Sequence, residues 1–169
     1  SGEDAEDDDA GWKFKPLRTY PWTVFYVLTF ATYVAATFFP GLLFRSQTAD
    51  LKAKTALHVV LLLLTLVIER ILRSVLKKRQ HAGYILFYRS VRHILPAPFR
   101  LVTVGTCLQF LVAIYSTDDM QRIPGIGSTM LLIQTVLCLE LTGVTLIYAL
   151  LEKCVHLHNS LKQRPDVES

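Results

Sequence analysis

Glu140 is an isolated carboxylate in an otherwise weakly polar run from Ile123 to Leu151. If that run is a helix crossing a bilayer, an ionisable group near its middle costs about 2.5–3.5 kcal/mol to insert. Such a residue marks either a function or a fixed contact. One reading is a carboxylate that handles protons or cations. The other is a hydrogen-bonded acid that fixes helix packing or a dimer contact. Its own helical stripe (Thr129, Ile133, Val136, Val144, Ile147) is largely apolar, so its partner is expected on another segment. Thr106, Gln109, Thr65 and the Glu69–Arg70 pair are the candidates at matching depth. His58, set among Leu and Val, could titrate in an acidic lumen, but reads more simply as a packing residue.

Other reactive side chains form no recognisable constellation. Asp118 and Asp119 are adjacent in a short connection and do not by themselves make two facing catalytic carboxylates. His156 and His158 flank Leu157 near Cys154, too few ligands for a metal site of defined spacing. There is no phosphate-binding glycine loop, no zinc-protease His/Glu pattern and no Gly-x-Ser-x-Gly elbow. The chain is therefore expected not to be an enzyme, with no catalytic residues, no metal and no cofactor. The three Cys make no disulfide framework. Cys107 and Cys138 fall inside apolar runs, and Cys154 stands just beyond one, where S-palmitoylation occurs and a plain thiol is the alternative.

The elements that position these residues follow from composition. Of 169 residues, 51% are hydrophobic and only 19% charged, and the mean hydropathy is +0.36. Residues 1–9 hold six of the 14 carboxylates, which leaves eight acids against 18 Lys and Arg in the rest: an acidic tail on a basic body. That distribution excludes a water-soluble single domain and, beyond the tail, a disordered chain. A spanning helix needs roughly 20 mostly apolar residues. Four stretches qualify, at about 21–43, 53–76, 97–117 and 123–151. The expected fold is all-α: a polytopic membrane protein of four transmembrane helices. Residues 1–20 form an acidic then basic tail, 21–151 the membrane domain and 152–169 a short second tail.

Orientation follows from Lys and Arg in the connections. The N-terminal segment, the middle connection (70–100) and the C-terminal segment carry 14 of them, the two other loops four. Both termini and the middle connection are therefore expected in the cytosol. The opening residues do not read as a cleavable signal peptide.

In the middle connection, Tyr84, Phe87, Tyr88, Val91 and Leu95 recur at helical spacing, with Arg89, Arg92 and His93 off that face and Lys77, Lys78 and Arg79 ahead of it. Pro96 and Pro98 stop the segment. It reads as an amphipathic interfacial helix over about 83–95, aromatics inward and cations toward anionic headgroups. The alternative is a connector packed on the end of the bundle. Membrane orientation accounts for the basic residues, so nucleic acid is not an expected partner. Membrane lipids are, together with a second copy of the chain or other membrane subunits.

The stretch GYILFYRSVRH carries a resemblance in Gly83, Tyr84, Tyr88, Arg89, Ser90, Arg92 and His93. It resembles the signature of the transmembrane protein 192 family, four-span lysosomal membrane proteins. FKPLRTYPWTV (Phe14 to Val24) is similar to that family's approach to its first span. Cys138 to Leu141, with Leu146 to Tyr148, is similar to its last. The resemblance implies a lysosomal or late endosomal membrane and a homodimer. The family's acidic tail also carries a dileucine, whereas no Leu precedes Leu17 here. Two functions are expected from these observations: a non-catalytic membrane protein acting as a homodimer or accessory subunit, or a small proton- or cation-coupled carrier or channel built around Glu140.

Overall fold

The computed structural model describes residues 16–39, 47–115, 122–123 and 127–161. Within them the fold is all-α apart from one minimal hairpin. The helices are α1 (Tyr20–Thr37), α2 (Gln47–His81), α3 (Ile85–Val91), α4 (Ala97–Tyr115) and α5 (Thr129–Leu161). Strands β1 (Arg122–Ile123) and β2 (Gly127–Ser128) pair antiparallel just before α5. The acidic tail, Asp118, Asp119 and residues 162–169 lie outside the described residues.

Helix boundaries follow local chemistry. Pro21 sits in the first turn of α1, where its missing N–H forfeits no helical bond, and the Trp22 N–H bonds the Thr19 carbonyl at 3.0 Å. At the end of α2, Gly83 adopts φ 91°, a left-handed conformation that glycine reaches without steric cost. The chain reverses there, and the Tyr84 N–H returns to the Arg79 carbonyl at 3.2 Å. Pro96 and Pro98 then open α4 after a single turn. At 35 and 33 residues, α2 and α5 are about 52 and 50 Å long, well beyond a hydrocarbon core of about 30 Å.

The four long helices form a closed ring in the order α1, α2, α4, α5, each packing on its two neighbours. Helices α2 and α5 thus stand diagonally across the core, as do α1 and α4. The apolar core is led by Tyr26, Phe30, Ile68, Leu137, Val102 and Val144, all fully buried. The outside is equally apolar: Phe25 and Leu28, Val60 and Leu63, Val104 and Leu111, and Leu139 and Leu146 are exposed on the four helices. A bundle apolar on both faces suits a lipid solvent.

Among the described residues, Ala97–Ile114 and Met130–Leu161 are long and apolar enough to cross a membrane. Only 28% and 22% of these stretches is buried, which is far from the core helix of a soluble protein. Helix α1 is shorter, with Tyr20, Pro21 and Trp22 in its first turn, and α2 joins an apolar centre to charged ends. Helix α5 continues past the expected span end at Leu151 to Leu161. It does so because Leu151, Val155 and His158, at helical spacing, remain on the buried face.

Helix α3 packs on α2 and α5 at one end of the bundle. Tyr84, Val91 and Leu95 are buried there, with Phe87 and Tyr88 half-buried. The expected apolar face is present, and it turns onto the bundle.

Candidate functional site

All four long helices converge on Glu140. It sits on the inner face of α5, 3% exposed, and its Oε2 lies 3.6 Å from Nε2 of His58, which is 0% exposed on α2. Because α2 and α5 are diagonal neighbours, this pair crosses the centre of the bundle. Helix α1 supplies the aromatic wall: the His58 ring meets Tyr33 at 5.6 Å and Phe30 at 6.5 Å between centroids. Helix α4 supplies the gap into which the carboxylate fits. A Cβ on Gly105 would overlap Glu140 Oε1, so only glycine leaves room for this side chain.

Both carboxylate oxygens, both imidazole nitrogens and Gln109 Nε2 are buried without a well-formed hydrogen bond. Groups of this kind are costly in a low-dielectric interior and set the polarity of the core. Gln109 is 2% exposed on α4 and also borders a shallow apolar groove between α4 and α5. Thr106 is buried one turn away, but its hydroxyl donates to the Val102 carbonyl on its own helix at 2.7 Å.

Polar contacts continue along the axis on either side. Toward the end opposite α3, the Tyr33 hydroxyl donates to the Lys54 carbonyl at 3.0 Å, and Lys54 Nζ pairs with Asp50 at 2.7 Å. Toward the α3 end, the Thr65 hydroxyl donates to the Leu61 carbonyl at 2.8 Å. Its single proton is thereby used, so Tyr26 is the donor in the 2.5 Å Tyr26–Thr65 bond. Farther along, Thr23 donates to Glu152 at 2.8 Å.

The remaining expected residues separate from this centre. Glu69 pairs with Arg73 at 2.5 Å, and Arg70 is exposed. Glu69 also lies three turns from His58, about 16 Å along α2. Lys77 and Lys78 are exposed and Arg79 half-buried at the end of α2. On α3, Arg89 and Ser90 are exposed, as are Arg92 and His93 just after it, while Gly83 and Tyr84 are buried in the preceding turn. Cys154 is partly exposed, and Cys107 and Cys138 face outward.

His58, expected as a packing residue, is thus the ionisable group opposite Glu140, while Thr65 serves Tyr26. Gly105 and Tyr33 were not singled out in the sequence, and Tyr26, which with Tyr148 reads as an interfacial aromatic near a span end, is instead buried in the bundle. Gly105 followed by Thr106 and Gln109 is the one local signal, a small residue and two polar ones at a single depth of one span.

A second cluster joins the ends of the described chain. Leu17 N–H donates to Asn159 Oδ1, and Asn159 Nδ2 donates to the Leu17 carbonyl, both at 2.9 Å. Beside this clamp, the His158 ring stacks on Phe87 at 4.0 Å and meets Tyr84 edge-on at 5.0 Å. The family-like stretch is thereby fixed to the far end of α5.

Comparison with known proteins places the chain by sequence. The chain is 27% identical over 150 residues to Protein FIP1 of Arabidopsis thaliana, an alignment that covers 84% of this chain and 39% of that protein. The chain thus spans well under half the length of that relative. No solved structure matches it. The TMEM192 family profile matches residues 3–169, essentially the whole chain. With that match over a helical bundle whose outer surface is apolar, the chain is a membrane protein and belongs to the TMEM192 family.

Proposed function

We propose that this chain is a non-catalytic four-span protein of the lysosomal or late endosomal membrane, with both ends cytosolic, that acts as a homodimer or as an accessory subunit of a larger membrane assembly. Family membership supports the compartment. The excess of Lys and Arg in the two terminal segments and the middle connection supports the orientation. The observation that carries the non-catalytic reading is the sealed core. Glu140 and His58 are closed off by all four long helices, an arrangement suited to fixing helix positions. Native mass spectrometry after gentle extraction tests it. A mass of twice 19.2 kDa supports the homodimer, and stoichiometric co-purification of other subunits supports the accessory role. A lone 19.2 kDa chain at every extraction condition overturns both.

A second reading, a small proton- or cation-coupled carrier, is favoured by one observation. The carboxylate oxygens of Glu140 and the ring nitrogens of His58 are buried without a well-formed hydrogen bond at the centre of the bundle. Intramembrane carboxylates in such surroundings mark ion paths. Flux across proteoliposomes that is lost in Glu140→Gln establishes this reading. No flux above empty vesicles, or flux unchanged in that variant, removes it.

A further inference from the structure

At the α3 end of the bundle the described residues carry a one-sided charge. Lys77 and Lys78 lie near the end of α2, Arg89 on α3, Arg92 directly after it, Arg100 on the first turn of α4 and Lys153 on α5, and all six are exposed. The carboxylates described at this end are Glu69 and Glu152. Glu69 is neutralised by Arg73, and Glu152 is half-buried and accepts the Thr23 hydroxyl. The exposed surface there is therefore cationic without a compensating acid among the described residues.

Helix α3 gives this surface a shape as well as a sign. Its inner side is spent on the bundle through Tyr84, Phe87 and Val91. Its outward stripe is graded along the axis. Ile85 and Leu86, 43% and 64% exposed, occupy the first turn, Arg89 follows one turn later, and Arg92 and His93 lie in the turn that directly continues the helix. The left-handed turn at Gly83 and the Pro96–Pro98 break join α3 directly to the ends of α2 and α4, which fixes its depth where those helices end. An exposed apolar turn continued by exposed cations matches the chemistry of a membrane surface, with acyl chains beside phosphate.

We propose that this face, centred on Arg89 and Arg92 with Lys77, Lys78 and Arg100 at its rim, binds the anionic headgroups of phospholipids in the cytosolic leaflet. Ile85 and Leu86 enter the acyl boundary, and the guanidinium charges meet the phosphates. Rigid attachment of α3 to α5 through His158 means that the cations meet the membrane pre-positioned. The proposal rests on the cytosolic placement of the middle connection given above.

The test uses the full chain in nanodiscs of phosphatidylcholine alone, or with phosphatidylserine or a phosphoinositide, with lipid retention read by native mass spectrometry. The expected result is preferential retention of the anionic lipid. Arg89→Gln with Arg92→Gln should weaken it about fivefold per cation removed, and Arg89→Lys with Arg92→Lys should keep most of it. Equal retention of phosphatidylcholine, or no loss in the Gln variant, overturns the proposal. So does displacement of the lipid by a soluble acidic peptide or by inorganic phosphate, which would assign the face to a different ligand. Labelling of Ser90→Cys by an impermeant maleimide separates the two levels of argument. Labelling only from the luminal side refutes the placement, whereas cytosolic labelling without lipid preference refutes the headgroup site alone.

Discussion

The His58 imidazole and the Glu140 carboxylate face each other at 3.6 Å across the diagonal of the bundle, on the two helices that ring packing keeps apart. The two ionisable groups share a core built mainly of Tyr, Phe, Leu, Ile and Val, with Thr65, Thr106 and Gln109 also buried in it. Their energetic link is therefore a link between α2 and α5 that no neighbouring helix duplicates.

Removal of one member should cost more than removal of both. His58→Leu leaves the buried carboxyl facing hydrocarbon without its polar neighbour, a loss of about 1–3 kcal/mol for an unsatisfied buried group. The His58→Leu, Glu140→Leu double variant should recover a large part of that loss. A double-mutant cycle on thermal unfolding in detergent measures the coupling; additive losses would mean that the pair does not act as one unit.

Gly105→Ala places a methyl where Glu140 Oε1 lies, so the carboxylate must move. The expected loss is about 1–3 kcal/mol, the range for overpacking a filled core. Glu140→Ala in the same chain should relieve it. Gly143→Ala is the contrast: its Cβ meets the Leu101 side chain at 2.6 Å, and a side-chain tip can rotate away. A smaller shift in melting temperature for Gly143→Ala than for Gly105→Ala checks the comparison.

Tyr26→Phe deletes a donor and leaves Thr65 with its bond to Leu61 intact. The loss should be about 1 kcal/mol, because the remaining hydroxyl keeps a partner. Thr65→Val should cost more, since the Tyr26 hydroxyl is then buried without an acceptor. The order of the two melting temperatures decides.

Asn159→Asp retains an acceptor for the Leu17 N–H but loses the donor to the Leu17 carbonyl and sets two oxygens together. It should weaken the clamp by about 1–3 kcal/mol. Amide exchange at residues 17–19 should accelerate in this variant while exchange in α4 stays unchanged. Uniform acceleration throughout the chain would show a global effect instead.

The long helices were legible because an apolar run without charges has few other ways to satisfy its backbone in lipid. The run beginning near residue 97 reads as a helix and α4 occupies it, whereas α5 begins at Thr129 and not near 123, because β1 and β2 pair over 122–123 and 127–128 just before it. The apolar face of α3 was visible in the spacing of Tyr84, Val91 and Leu95. Its direction was not, because the same face suits a membrane surface or a bundle end. The extension of α5 was hidden by Lys153, His156 and His158, which look like a polar tail until Val155 and His158 are seen to share the buried side of Leu151. Glu140 stood out as a lone charge, but its neighbour is set by the order of helices around the ring, which no local spacing encodes. Gly105 gave least warning, since its contribution is the side chain it lacks.

The clamp between Leu17 and Asn159 also has a mechanical meaning. It makes the described chain nearly circular, residues near its first and last described positions held side by side by a matched pair of bonds. A pull applied by anything tethered beyond either end is met first by those two bonds in shear and reaches the rest of the bundle only after they part. The same closeness makes the protein a good subject for circular permutation. A short linker joining residues 16 and 161, with new ends opened in the connection between α4 and α5, would preserve every helix–helix contact described.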